Sequence, residues 1–150
     1  MRWNDVAFAF EVDGSLQDIY AYDTTIAHWD ILLRLSNEIS QVAYECDGKN
    51  ITLPSSTDAL LDDRTRTHCL KIDLGGPIAN AHFFTAEEIE LDLDPRQIRS
   101  QIDLDAVLNF CSRLSHEIKR DVMITAENTL DIVFLFHSVS EKIWRVPRSP

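Results

Sequence analysis

Glycine is scarce in this chain: four residues in 150, none in a G-x-G-x-x-G or G-x-x-x-x-G-K-[ST] arrangement. Phosphate-cradling loops need closely spaced glycines so that backbone N–H groups can approach the ligand, and nucleotide binding by such a loop is excluded. Asp13-Gly14-Ser15 and Gly75-Gly76-Pro77 read as turns instead. Cysteine is equally sparse. Cys46, Cys69 and Cys111 are odd in number, widely spaced and set in apolar patterns without a C-x-x-C pair, so they are expected as small core residues.

The five histidines, His28, His68, His82, His116 and His137, contain no i, i+4 pair of the kind that builds a helical zinc site. Adjacent His68 and Cys69 would point to opposite faces of a strand. No nucleophile elbow G-x-S-x-G occurs. Glu117 and Glu127 stand alone and Asp62-Asp63 sits in a polar connection, where caps and turns account for them. No metal, no cofactor and no catalytic residue is therefore assigned.

Long apolar runs are missing too. No stretch approaches the ~20 residues needed to span a bilayer. The opening MRWNDVAFAFEVDG is too acidic, and its apolar run too short, for a signal peptide, so a soluble cytoplasmic protein is expected. Positive charge is the last shortage: 14 Lys and Arg face 25 Asp and Glu, a net charge of −11. Such a surface repels nucleic acid and anionic membranes and favours a basic protein partner.

What is present is an alternation of strand and helix signals over one domain, residues 1–150. VAFAFEV, Asp13-Gly14-Ser15 and LQDIYAY read as a hairpin over Val6 to Tyr22. Ile26, Trp29, Leu33 and Ser36 recur at helical spacing behind the capping residues Asp23-Thr24-Thr25. QVAYECDGKNITLP is a second hairpin turning at Asp47-Gly48. STDALLDD holds one or two helical turns, and HCLKIDLGG and IANAHFF are strands. A second amphipathic helix runs from Asp103 to Arg120, with Leu104, Val107, Cys111, Leu114 and Ile118 on one side. DVMITAENTLDIVFLFHSV supplies a strand pair, and KIWRV an edge strand. The apolar run DIVFLFHSV suits a strand covered on both faces, or one at a subunit contact.

RLSNEIS (Arg34 to Ser40) recurs as RLSHEIK (Arg113 to Lys119), with an alanine seven residues upstream of each, Ala27 and Ala106. Both copies are followed by strand, polar turn and strand. This suggests a pseudo-repeat of hairpin, helix and hairpin, with halves at about 5–54 and 68–146. The expected fold class is α+β: a mostly antiparallel sheet with two main helices packed on one face.

EEIELDLDP stands out within that plan. After Glu87 every second residue is acidic, Glu88, Glu90, Asp92 and Asp94, and Ile89, Leu91 and Leu93 alternate with them. Along a strand these are two faces, apolar inside and acidic outside. Carboxylates two residues apart lie ~6.6 Å from one another on a strand rising ~3.3 Å per residue. Neighbours at that spacing cannot jointly grip a small cation, whose oxygens sit at ~2.3–2.6 Å. The bland account is a solvated row that protects an exposed strand from pairing. The functional account is a partner-binding stripe, with Trp3 and Trp144 as further contact residues because exposed tryptophans anchor interfaces.

The leading expectation is thus a non-catalytic acidic interaction module, most concretely an inhibitor or immunity protein occluding a cationic partner such as a toxin. Two alternatives stand beside it. One is a small-molecule-binding protein or enzyme with a pocket between sheet and helices, lined by His82, His116 or His137; the other is a structural homodimer.

Overall fold

The computed structural model describes residues 1–147, and nine strands form one antiparallel sheet in the order β3-β2-β4-β5-β6-β1-β7-β8-β9. In chain order the elements are α1 (Trp3–Val6), β1 (Gln17–Tyr22), α2 (Ile26–Ile39), β2 (Gln41–Cys46) and β3 (Lys49–Ile51). There follow α3 (Asp58–Asp62), β4 (His68–Asp73), β5 (Ile78–Ala81), β6 (Glu88–Leu93) and α4 (Gln101–Ile118). The chain closes with β7 (Val122–Ala126), β8 (Val133–Ser138) and β9 (Ile143–Arg145). Helix α2 carries the chain from β1 to β2 across β4, β5 and β6, and α4 carries it from β6 to β7 across β1. Both long helices pack on one face, and the α+β architecture is that expected from the sequence. No helix is long and apolar enough to cross a membrane among the described residues.

Local chemistry sets the boundaries. The Ser100 hydroxyl accepts the N–H of Asp103 at the start of α4, and Lys119 closes that helix in the left-handed region. At α2 the backbone N–H of Thr25 donates to His28 Nδ1 (3.0 Å), satisfying one of the free groups at the helix start. Asp47 and Gly48 both take positive φ, 50° and 73°, as a two-residue hairpin turn demands. The core then fills from two sides. Ile19, Ile72, Leu91 and Ile124 rise from the sheet to meet Trp29, Leu32, Leu104 and Leu114 from the helices, all of them buried.

The expected hairpin over Val6 to Tyr22 is not formed. Only β1 is a strand; the preceding segment is α1 followed by a 3-10 turn at Ala7–Phe10. The reason lies in the sheet: β6 and β7 occupy both edges of β1, leaving no place for an N-terminal strand. Helical spacing instead turns Val6 and Phe10 into the core, with Trp3 stacked on Phe10 at 6.0 Å, while Phe8 stays 48% exposed.

The bland account of EEIELDLDP falls with the topology as well. Strand β6 is the fifth of nine, paired on both sides, so its acids do not guard an edge. The heptads RLSNEIS and RLSHEIK occupy the back halves of α2 and α4, and Arg34 of one reaches Glu117 of the other (3.7 Å). Each helix leads into a strand and a hairpin, but one crossover passes three strands and the other passes one. The proposal of a duplicated unit rests on those heptads and their shared setting.

Candidate functional site

The two long helices leave the opposite face of the sheet free of helix, covered in part by the β7–β8 turn, and the strand registers arrange its side chains in rows. One row runs Lys71, Asn80, Asp92, Asp18, Thr125, Val133 through β4, β5, β6, β1, β7 and β8. The next runs Glu90, Tyr20, Met123, Phe136, Arg145 through β6, β1, β7, β8 and β9. A third pairs Glu88 with Tyr22. The face is zoned: carboxylates lie at its centre on β6 and β1, and apolar groups lie on β7 and β8. The apolar zone is indented by a groove of about 570 Å³ lined by Met123, Val133, Phe136, Val146 and Pro147, with Arg145 on its rim.

Each central carboxylate has its own setting. Asp92 accepts from Asn80 Nδ2 (2.8 Å) and pairs with His82 Nε2 (2.6 Å), and that bond raises the His82 pKa above its ordinary value. Asp18 is only 3% exposed because the β7–β8 turn folds over it, placing the N–H of Asn128 at 2.6 Å from its Oδ2. Burial raises its pKa; the Asn128 bond opposes this, and the nearby charges of Asp92 and Glu127 add to the rise. Glu90 is raised too, first by burial and then by Asp18 and Glu88, with the Tyr20 phenol pulling the other way. Burial and the neighbouring glutamates push the Tyr22 phenol up to about 12. Tyr20 and Tyr22 stack at 5.8 Å beside these acids. Among the described residues, no Lys or Arg lies within 4.0 Å of the carboxylates of Asp18, Glu88 or Glu90.

Of the residues singled out in the sequence, Glu88, Glu90 and Asp92 share this face. Asp94 sits past the strand end, where Arg96 grips it with bonds of 2.7–3.0 Å and holds its pKa low. Trp3 and Trp144 are half-buried and pack against the core, away from the acids. The Trp144 indole donates to Ser112 Oγ on α4 (2.8 Å), and the Trp3 backbone N–H donates to Gln101 Oε1 (2.7 Å). The three histidines expected around a pocket are dispersed. His82 belongs to the open face, His116 is exposed on α4, and His137 is buried with Nδ1 against Ser115 Oγ (3.0 Å). No group of three or more His, Cys, Asp or Glu is placed to hold a metal ion among the described residues.

Sequence reasoning missed Asp18, Tyr20, Tyr22 and Asn80, and placed His82 in a pocket under the helices rather than beside Asp92. The signal that finds them is the same period of two: QDIYAY and NAH each carry polar or aromatic groups at alternate positions around small or apolar ones. No protein-family model, no curated protein and no solved structure matches the chain.

Proposed function

We propose that the helix-free sheet face is a docking surface for a basic protein, and that the chain acts without catalysis by covering a cationic surface, as an inhibitor or immunity protein covers a toxin cleft. One observation carries this reading: Glu88 and Glu90 stand half-buried on the helix-free face beside the buried Asp18, with no Lys or Arg in contact with any of the three among the described residues. Unpaired like charges in a half-buried setting work against folding, and a partner's lysines or arginines would satisfy them. Dimensions agree with the role. Nine strands of three to six residues, ~4.8 Å apart and rising ~3.3 Å per residue, present a face of about 700 Å², close to the ~800 Å² per partner of a standard interface. The groove beside Met123 and Phe136 would seat an apolar anchor next to the charged centre, the usual division of an interface into packed and polar parts.

Function under this reading is steric occlusion, with the net charge of −11 accelerating encounter. The test is affinity capture of the partner from native cells, followed by stopped-flow association across a salt series. A basic partner is expected, captured more slowly as salt rises and at least tenfold more slowly by a Glu88→Lys/Glu90→Lys variant. A partner without a basic surface, or one captured by that variant at the wild-type rate, overturns the proposal.

A further inference from the structure

A second constellation lies at the end of the sheet where β4 begins and β5 ends. There a notch of about 240 Å³ opens between the loop after α3 and the segment after β5, with Arg64, Arg66, His68, His82 and Phe84 in its walls. Its one carboxylate in the wall, Asp63, is fully engaged. Oδ1 accepts the N–H and hydroxyl of Thr65 (2.9 and 2.7 Å), and Oδ2 meets Arg66 Nε (2.7 Å) and His68 Nε2 (3.0 Å). Two oxygens offer about four lone-pair positions, so Asp63 has nothing left for an outside cation. The other nitrogen of His68 is taken by the Tyr44 hydroxyl (2.6 Å), which ties this scaffold to the buried side of β2.

The donors are less fully used. Arg66 spends Nε on Asp63, and Arg64 spends Nη1 on the carbonyl of Phe84 (2.8 Å). The remaining guanidinium N–H groups of both have no acceptor among the described residues. Among the described residues no carboxylate lies within ion-pair distance of Arg64, and the nearby Glu87 is bonded to Thr85. His82 stacks on Phe84 at 5.6 Å with Nε2 on Asp92, and its second ring nitrogen has no partner among the described residues.

We infer that this notch binds a small oxyanion, a phosphate or carboxylate group held by the free forks of Arg64 and Arg66. Planar guanidinium groups match such anions with paired hydrogen bonds, and both are already fixed by one bond each. About 240 Å³ is the share of roughly eight waters and falls below the ~300 Å³ of drug-sized pockets, so the site takes an anionic head or a very small molecule. The charge of the whole chain does not forbid it. Screening over ~8 Å at physiological salt separates the notch from distant acids, and the nearer ones are engaged: Asp92 pairs with His82, Glu87 with Thr85, and Asp47 accepts from Thr67.

The test is an NMR titration of the full chain with inorganic phosphate and, separately, with acetate, at constant ionic strength against a chloride control. Saturable shifts of the Arg64 and Arg66 Nε–H signals are expected, weakened at least tenfold in Arg64→Gln, a substitution that costs the fold one exposed bond to a loop carbonyl. Tighter saturation by phosphate assigns the site to phosphoryl groups, and tighter saturation by acetate assigns it to carboxylates. Shifts that match chloride, or saturation unchanged in a folded Arg64→Gln, overturn the inference.

Discussion

Replacing Asp18 by asparagine should make this protein more stable at neutral pH. Asp18 sits directly opposite Asp92 across the β1–β6 ladder and is 3% exposed. Opposed like charges in a sheet cost about 0.2–1 kcal/mol, and burial adds to the penalty on the ionised form. Asparagine keeps an oxygen to accept the Asn128 N–H, though the bond becomes a neutral one. A net gain of about 0.5–1 kcal/mol is expected, which raises Tm by about 1–4 °C at this chain length. Linkage gives the pH dependence. The folded pKa of Asp18 is raised, so its stabilising contribution is present below the ordinary carboxylate range and is lost as pH rises through the folded value. The gain in Asp18→Asn should therefore vanish in acid, and it should shrink at neutral pH when salt screens Asp92. Thermal unfolding of both proteins across pH 3–8 at low and high salt measures all three effects. If Asp18→Asn lowers Tm at neutral pH by as much as it does in acid, the carboxylate is a structural acceptor and the argument that the face is costly fails.

Three further outcomes can be checked by denaturant unfolding. Leu91→Ala removes a fully buried side chain from the middle strand of the sheet and should cost about 2–5 kcal/mol; a loss under 1 kcal/mol would contradict the packing. Tyr44→Phe leaves the buried His68 Nδ1 without its partner and should cost about 1–3 kcal/mol, whereas a neutral result would show the bond is dispensable. Ser36 and Ser115 hold the same position in the repeated heptads and are both buried, but the Ser36 hydroxyl has no partner among the described residues while Ser115 donates to the Arg120 carbonyl at 2.6 Å. Ser36→Ala should be neutral or stabilising by up to about 1 kcal/mol, Ser115→Ala should cost about 1–3 kcal/mol, and equal effects would refute the distinction.

Most of the elements were legible because their signals are local. Asp47-Gly48 and Gly75-Gly76-Pro77 mark turns where β2 meets β3 and β4 meets β5, and apolar residues at helical spacing mark α2 and α4. The segment VAFAFEV was misread because Val6, Phe8 and Phe10 satisfy a strand period while Val6, Ala9 and Phe10 satisfy a helical one. What decided between them was the occupation of both edges of β1 by strands that begin 66 and 100 residues after it ends, at Glu88 and Val122. The candidate site was half-legible for the same reason. Alternation placed Glu88, Glu90 and Asp92 on one face of β6, but only the strand order brings Asp18, Tyr20 and His82 beside them.

The central position of the acids has a consequence for selectivity on the proposed reading. At a rim they would keep their water after docking, and their charge would contribute little beyond steering. Strand β6 instead lies four strands from either edge, roughly 19 Å at ~4.8 Å per strand. A partner that covers the face strips water from Glu88 and Glu90 together, beside an Asp18 already buried in the free protein, and each glutamate then needs a cation or a donor from that partner. A surface of the right shape but without basic groups would leave both newly desolvated glutamates without a cation, a penalty of several kcal/mol that apolar contacts along Met123 and Phe136 would have to overcome. The same charges that cost the free protein stability would thus reject neutral partners, so Glu90→Gln should loosen specificity for basic over neutral surfaces while making the fold more stable.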